Sequence, residues 1–293
     1  MTPSRDTFRG DESFDTFPDT FPGPSPNDTL ELYERAELYD IAFSFRDIDA
    51  EVDALTAWYK EMTGRSMPAR VLELGAGPAG HARELARRGV EAWALDMSPA
   101  MSAYARAQAE AEGVRLEVVT ADMTSFELPR RFDLVLLMIN SAGHLLTESA
   151  MSRHLECVSR LLVPGGVYVM ELAHPADDEQ HPDGEPPREW TARRGQTRVD
   201  IRFGQWGDPI DHQSRVRTCT VELNANIAGR RVSFVEQLPL RAWKRQALDE
   251  AIQRVGAFST VRRYGDFGPD AAFERPEAWR MIYAMQRSDP SQR

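Results

Sequence analysis

Val71-Leu72-Glu73-Leu74-Gly75-Ala76-Gly77-Pro78-Ala79-Gly80 is the stretch on which the rest of the chain turns. A short apolar run ends in an acid, breaks into a glycine turn and passes into a helical pattern. Glycines permit a sharp bend and let a ligand approach the main chain. A helix start offers free N–H groups and partial positive charge to an anionic group. About twenty residues on, Ala92-Trp93-Ala94-Leu95-Asp96 supplies a second strand ending in an acid, which can accept both hydroxyls of a ribose. Together these predict a site for a nucleoside-containing ligand.

Working outward, strands and helices alternate from Ala69 to Pro175. The strands fall at 71–74, 91–95, 115–120, 132–138 and 167–172, and the helices at 80–88, 99–111 and 148–162, with Pro164-Gly165-Gly166 as the turn into the fifth strand. That alternation predicts an α/β fold, a Rossmann-like doubly wound sheet. The fourth strand is nearly all apolar, as suits burial on both faces. Two amphipathic helices precede the core, with a break near Ser44-Phe45-Arg46-Asp47, and suit an N-terminal helical cap. Beyond a polar loop at 176–184, alternating segments around Asn224–Gly229 predict a small antiparallel β insertion after the fifth strand. A helix at 243–255 and strands at 258–264 and 278–286 close the sheet. The division is therefore a disordered tail (1–28), cap (29–66), core (67–175), inserted substrate lobe (176–238) and closing elements (239–293). The tail repeats Phe-Pro-Asp-Thr chemistry and, as an alternative to disorder, can lie over the body as a lid.

The chain has 293 residues, 42% of them hydrophobic, and a net charge of -11. That charge disfavours nucleic-acid partners. No apolar run reaches bilayer-spanning length, and no secretory leader is visible, so a cytoplasmic protein without a membrane partner is expected. The two cysteines, Cys157 and Cys219, form neither a metal-ligand spacing nor a disulfide framework, and no metal is expected. A homo-oligomer is compatible with this composition.

Gly75, Gly77 and Gly80 also fit the generic Gly-x-Gly-x-x-Gly of dinucleotide enzymes, which leaves a nicotinamide-dependent oxidoreductase as a remote alternative. Further acids give the pattern a different cast: Thr120-Ala121-Asp122-Met123 ends the third strand, and Phe132-Asp133 opens the fourth. With Glu73 and Asp96, this order resembles the class I S-adenosylmethionine-dependent methyltransferases over about a hundred residues, from Glu73 to Leu172. The resemblance implies S-adenosyl-L-methionine as cofactor. It implies that Glu73, Gly75 and Gly77 hold the methionine portion and Asp96 the ribose. Met97 then packs on adenine, and Asp122 and Met123 contact its amino edge. The family's third glycine is replaced by Ala79.

Tyr39-Asp40-Ile41-Ala42-Phe43 resembles the Tyr-Asp-x-x-Tyr closing segment of small-molecule methyltransferases, which makes Tyr39 a candidate beside the sulfonium; the alternative is a core aromatic. Substrates bind outside the carboxyl ends of parallel strands. Candidate acceptor-side residues are thus Asn140 and His144 after the fourth strand and Glu171 and His174 after the fifth, with His144, His174 or Glu171 as a possible base. Arg193, Arg198 and Trp206 in the lobe are candidate substrate contacts; the alternative is a solvated sheet face. The leading expectation is methyl transfer to a small molecule in specialised metabolism, by N- or O-methylation of an amine, sugar or phenol. An alternative is C-methylation of a prenyl diphosphate, with the arginines on the diphosphate and Glu171 removing the proton. A non-catalytic protein on the same fold is a third class.

Overall fold

The computed structural model describes residues 32–173, 187–268, 272–275 and 278–289. The tail, the polar loop at 176–184 and the candidate His174 lie outside the described residues. A seven-stranded sheet forms the core, built from β1 (Arg70–Leu74), β2 (Glu91–Asp96), β3 (Leu116–Thr120), β4 (Phe132–Leu137), β5 (Leu162–Ala173), β11 (Phe258–Tyr264) and β12 (Arg280–Arg287). Its order is β11-β12-β5-β4-β1-β2-β3, with β1 to β5 parallel and β12 antiparallel to β5. The order reverses beside β1, which places the crevice of a doubly wound sheet over the glycine turn.

Helices α3 (Gly80–Arg87), α4 (Pro99–Ala111), α5 (Glu148–Leu161) and α6 (Arg245–Val255) cover this sheet, together with α2 (Ile48–Thr63) from the N-terminal region. All six residues of β4 are buried, in keeping with its apolar run. Local chemistry sets the helix ends. Asp47 accepts the Ala50 N–H at the start of α2, and Ser98 caps α4 ahead of Pro99. The expected turn at Pro164-Gly165-Gly166 instead lies inside β5, which starts at Leu162. Pairing jumps from Phe132↔Leu162 to Leu134↔Val167, so the extra residues bulge out of the ladder.

A second, antiparallel sheet follows: β6 (Arg188–Arg194), β7 (Thr197–Phe203), the two-residue β8 (Ile210–Asp211), β9 (Val216–Ile227) and β10 (Arg230–Arg241). The order is β10-β9-β7-β6, with β8 beside β9. The long β9–β10 hairpin turns on Ala228-Gly229, both at positive φ as a two-residue turn requires. Asn224 to Ile227, read as turn residues from their composition, belong to β9. One face of this sheet packs Val199, Ile201, Val221, Leu223 and Phe234 against Leu32, Leu38 and Ile41 of the N-terminal segment. That segment is a 3-10 turn (Leu32–Glu34) followed by α1 (Ala36–Ala42). No helix among the described residues is long and apolar enough to cross a membrane.

Candidate active site

The glycine turn is bent in the way its composition requires. Gly75 and Gly77 sit at φ 53° and 50°. A Cβ on Gly75 would stand 3.2 Å from Ser141 Cβ, and one on Gly77 would face Tyr39 and Met101. Ala79 occupies the position of the family's third glycine at φ 58°, a left-handed conformation adopted without glycine's freedom.

Asp96 ends β2 and ties the turn down. Its Oδ2 accepts the Gly77 N–H at 2.7 Å and its Oδ1 accepts the Ser98 N–H at 2.8 Å. A carboxylate offers about four lone-pair positions, so two backbone bonds leave acceptor capacity for hydroxyls. Burial raises the Asp96 pKa, which the backbone N–H groups partly offset. Met97 beside it is 73% exposed, a free apolar surface at the mouth of the crevice. Asp122 is exposed, and its Oδ1 accepts the Thr124 N–H at 2.7 Å. The Met123 carbonyl accepts His154 Nδ1–H at 2.9 Å. Burial lowers the His154 pKa to about 4, so a neutral imidazole from α5 braces this loop, its Nε2 taking the Tyr168 hydroxyl at 2.6 Å.

Glu73 is buried at the end of β1. Its Oε2 accepts the Ala82 N–H at 2.8 Å and its Oε1 faces His81 Nδ1 at 2.9 Å. His81 Nε2 in turn meets Glu51 of α2 at 2.8 Å. Burial alone would lower the His81 pKa, but the two carboxylates carry it up to about 9, so the ring is an imidazolium. Glu51 also pairs with Arg46, and Arg46 makes a two-pronged bridge to Glu171 with both contacts at 3.0 Å. Arg280 of β12 closes on the other side of Glu171. Three carboxylates and three cations thus alternate through the interior, from the glycine turn to the edge of the sheet. Such a chain is tolerable in low dielectric because each charge has opposite neighbours.

The cap lies over the strand ends. The Tyr33 carbonyl accepts from Ser98 Oγ at 3.0 Å, and the Tyr33 hydroxyl is hydrogen-bonded to His144 Nε2 at 2.9 Å. Tyr39 packs on Phe43 in a tilted pair with ring centroids 4.5 Å apart, and burial raises its hydroxyl pKa. Beneath the cap is a cleft of about 440 Å³, whose wall includes Tyr39, Phe43, Glu73, His81, Ile139 and Arg194.

The candidate residues separate on this geometry. Glu73, Gly75, Gly77, Asp96 and Tyr39 converge on the glycine turn. Asn140 follows Ile139 at the end of β4, and its Oδ1 accepts the Ala173 N–H at 3.2 Å. His144 is exposed and joined to Tyr33. Glu171 departs from the expectation of a base. Burial would raise its pKa, but Arg46, Arg280 and the Ile139 N–H hold it at about 2, and it stays ionised. Arg193, Arg198 and Trp206 do not line the cleft. Strand alternation puts Arg193 on the outward face of β6 and its neighbour Arg194 on the inward one, where it reaches Asp40 at 2.7 Å. Arg198 is bound to Asp200 on the outward face, and Trp206 is 71% exposed in the loop after β7. Sequence reading missed Tyr33, Arg46, Glu51, His81 and Arg280 as candidate site residues; only the proximity of His81 to Gly80 marked any of them.

The methyltransferase-domain family model matches residues 71–166, the span from β1 into β5 that carries the glycine turn, Asp96 and Asp122. Residues 71–166 form a methyltransferase domain. The dTDP-3-amino-3,6-dideoxy-alpha-D-glucopyranose N,N-dimethyltransferase of Streptomyces fradiae is 31% identical over 140 residues, 47% of this chain and 52% of that protein. The chain spans about half the length of the curated relatives it matches. Among solved structures, an S-adenosylmethionine-dependent methyltransferase from Clostridium acetobutylicum superposes with a TM-score of 0.70 at 16% identity, covering 86% of this chain and 97% of that one. The sugar N-methyltransferase KedS8 from Streptoalloteichus superposes with a TM-score of 0.66 at 20% identity, covering 95% and 98%. These likenesses carry the fold. The cofactor of this domain is S-adenosyl-L-methionine, and the cradle fits it, with Gly75 and Gly77 turning the main chain at positive φ and an acid with spare acceptor capacity at the end of β2.

Proposed function

We propose that this protein is an N-methyltransferase of a small amine, with an amino sugar as the acceptor class. The observation that carries the reading is the state of Glu171. Glu171, the candidate base at the end of the fifth strand, has its carboxylate occupied by two arginines and is a poor proton acceptor. A neutral amine brings its own lone pair and needs alignment more than proton abstraction. C-methylation and phenol methylation lean on a base, which a carboxylate held by two arginines supplies poorly. The names of the Streptomyces fradiae and Streptoalloteichus relatives agree with an aminated sugar acceptor.

In this reading Asp96 and the Gly75–Gly77 turn hold the cofactor, and Met97, Asp122 and Met123 form its adenine end. Bound cofactor supplies a methyl group already activated on a sulfonium. Tyr39 and Phe43 wall the cleft and exclude water from the reacting atoms. Arg194 with Asp40 faces the acceptor from the lobe, and Ile139 faces it from the end of β4. The cap and the antiparallel sheet act as the cover of the substrate. Incubation with S-adenosylmethionine and a dTDP-linked 3-amino-3,6-dideoxyhexose tests this by mass spectrometry. Added methyl groups on the sugar nitrogen are expected; methylation of a phenol or prenyl diphosphate, with the amino sugar untouched, would overturn it.

A further inference from the structure

Two consecutive residues after β4 hold a left-handed backbone without being glycine: Ile139 at φ 54° and Asn140 at φ 55°. Asparagine takes this conformation readily, whereas a β-branched isoleucine does so only against its preference. A backbone in this state persists where its surroundings over-determine it, and such places concentrate at functional sites. Ile139 lines the cleft.

The surroundings that hold this turn converge on one side chain. The Ile139 N–H donates to Glu171 Oε2 at 2.9 Å. The same carboxylate is gripped by Arg46 from the cap with two hydrogen bonds at 3.0 Å, and by Arg280 from β12. Glu171 is buried, so its orientation is set by these partners and not by solvent. On the next residue, the Asn140 side chain takes the Ala173 N–H two positions beyond Glu171. Both residues of the left-handed turn are therefore fastened to the end of β5.

We propose that Glu171 is a positioning residue: its carboxylate clamps the Ile139-Asn140 turn in the left-handed conformation that forms the acceptor-side wall of the cleft. Arg46 and Arg280 aim the carboxylate, and Arg46 joins it through Glu51 and His81 to Glu73, so the acceptor wall and the cofactor cradle share one rigid frame. The inference rests on the N-methyltransferase reading for its consequence in catalysis, but the clamp itself is measurable without an acceptor.

Glu171→Gln keeps the shape and one oxygen but leaves two arginines facing a neutral group. Amide hydrogen exchange in the 137–145 segment is expected to quicken by about tenfold or more. S-adenosylhomocysteine affinity is expected to stay within about twofold of wild type, while kcat/KM for the dTDP-amino sugar drops by about tenfold or more. Arg280→Lys, which keeps a charge but loses the fork, gives the same pattern in weaker form and serves if Glu171→Gln fails to fold. Unchanged exchange in 137–145 overturns the clamp. So does a loss of S-adenosylhomocysteine binding in step with acceptor turnover, because Glu171 would then be a general stabiliser. If wild type itself neither binds S-adenosylhomocysteine nor methylates, the functional reading fails, and the exchange result still decides the clamp.

Discussion

Replacing His81 by glutamine removes the cation held between Glu73 and Glu51, and the size of the effect follows from the structure. The imidazole is fully buried with a carboxylate on each nitrogen, 2.9 and 2.8 Å away. Its pKa rises from 6.5 to about 9 on folding. That rise corresponds to about 3 kcal/mol of folding stability from the protonated ring. Because the folded value is raised, the contribution is fully present below about pH 6.5 and fades as the pH climbs through about 9. His81→Gln, neutral throughout, lacks it at every pH and leaves Glu73 and Glu51 without the cation between them. Urea unfolding of both proteins near pH 6 and near pH 9.5 measures the difference. The wild type should exceed the variant by about 3 kcal/mol more at the lower pH than at the higher. Groups that titrate elsewhere cancel between the two proteins. A gap of the same size at both pH values would refute a buried imidazolium, and with it the alternating charge chain.

Two further outcomes are expected. Asp96→Asn should weaken S-adenosylhomocysteine by about tenfold or more in calorimetry, since hydrogen bonds to a charged group are worth about 1.5–3 kcal/mol; an unchanged affinity would remove Asp96 from the cradle. Arg194→Ala should raise the acceptor KM about tenfold, while Arg193→Ala leaves steady-state kinetics within about twofold, because alternation sends the two side chains to opposite faces of β6. Equal effects would show that the sheet face is wrongly assigned.

The contrast between Arg193 and Arg194 also shows where sequence reading ran out. Gly75, Gly77 and Asp96 announce themselves locally, because a tight turn at positive φ and an acid at a strand end leave a signature within a few residues. The alternation of strands and helices did the same for the sheet, down to the strand pair that closes it. In β6, Arg-Glu-Trp-Thr-Ala-Arg-Arg carries arginine on both faces, so the inward set shows only once Trp190 is seen packing on Phe43 and donating to the Ala42 carbonyl. Glu171 stood out as an acid on a buried strand that needed a partner. Its partners, Arg46 and Arg280, lie 125 and 109 positions away, a separation no local pattern spans. The left-handed Ile139 was invisible for a related reason: a β-branched residue argues against the conformation that tertiary contacts impose on it.

The account stands on the crevice between Leu74 and Asp96 taking an adenosyl sulfur compound. Titrating the purified protein with S-adenosylhomocysteine, and separately with reduced nicotinamide dinucleotide, in a calorimeter measures that directly. One equivalent of heat-releasing binding for the first and none for the second is the predicted result. Binding of the nicotinamide dinucleotide alone, or of neither compound, would contradict it.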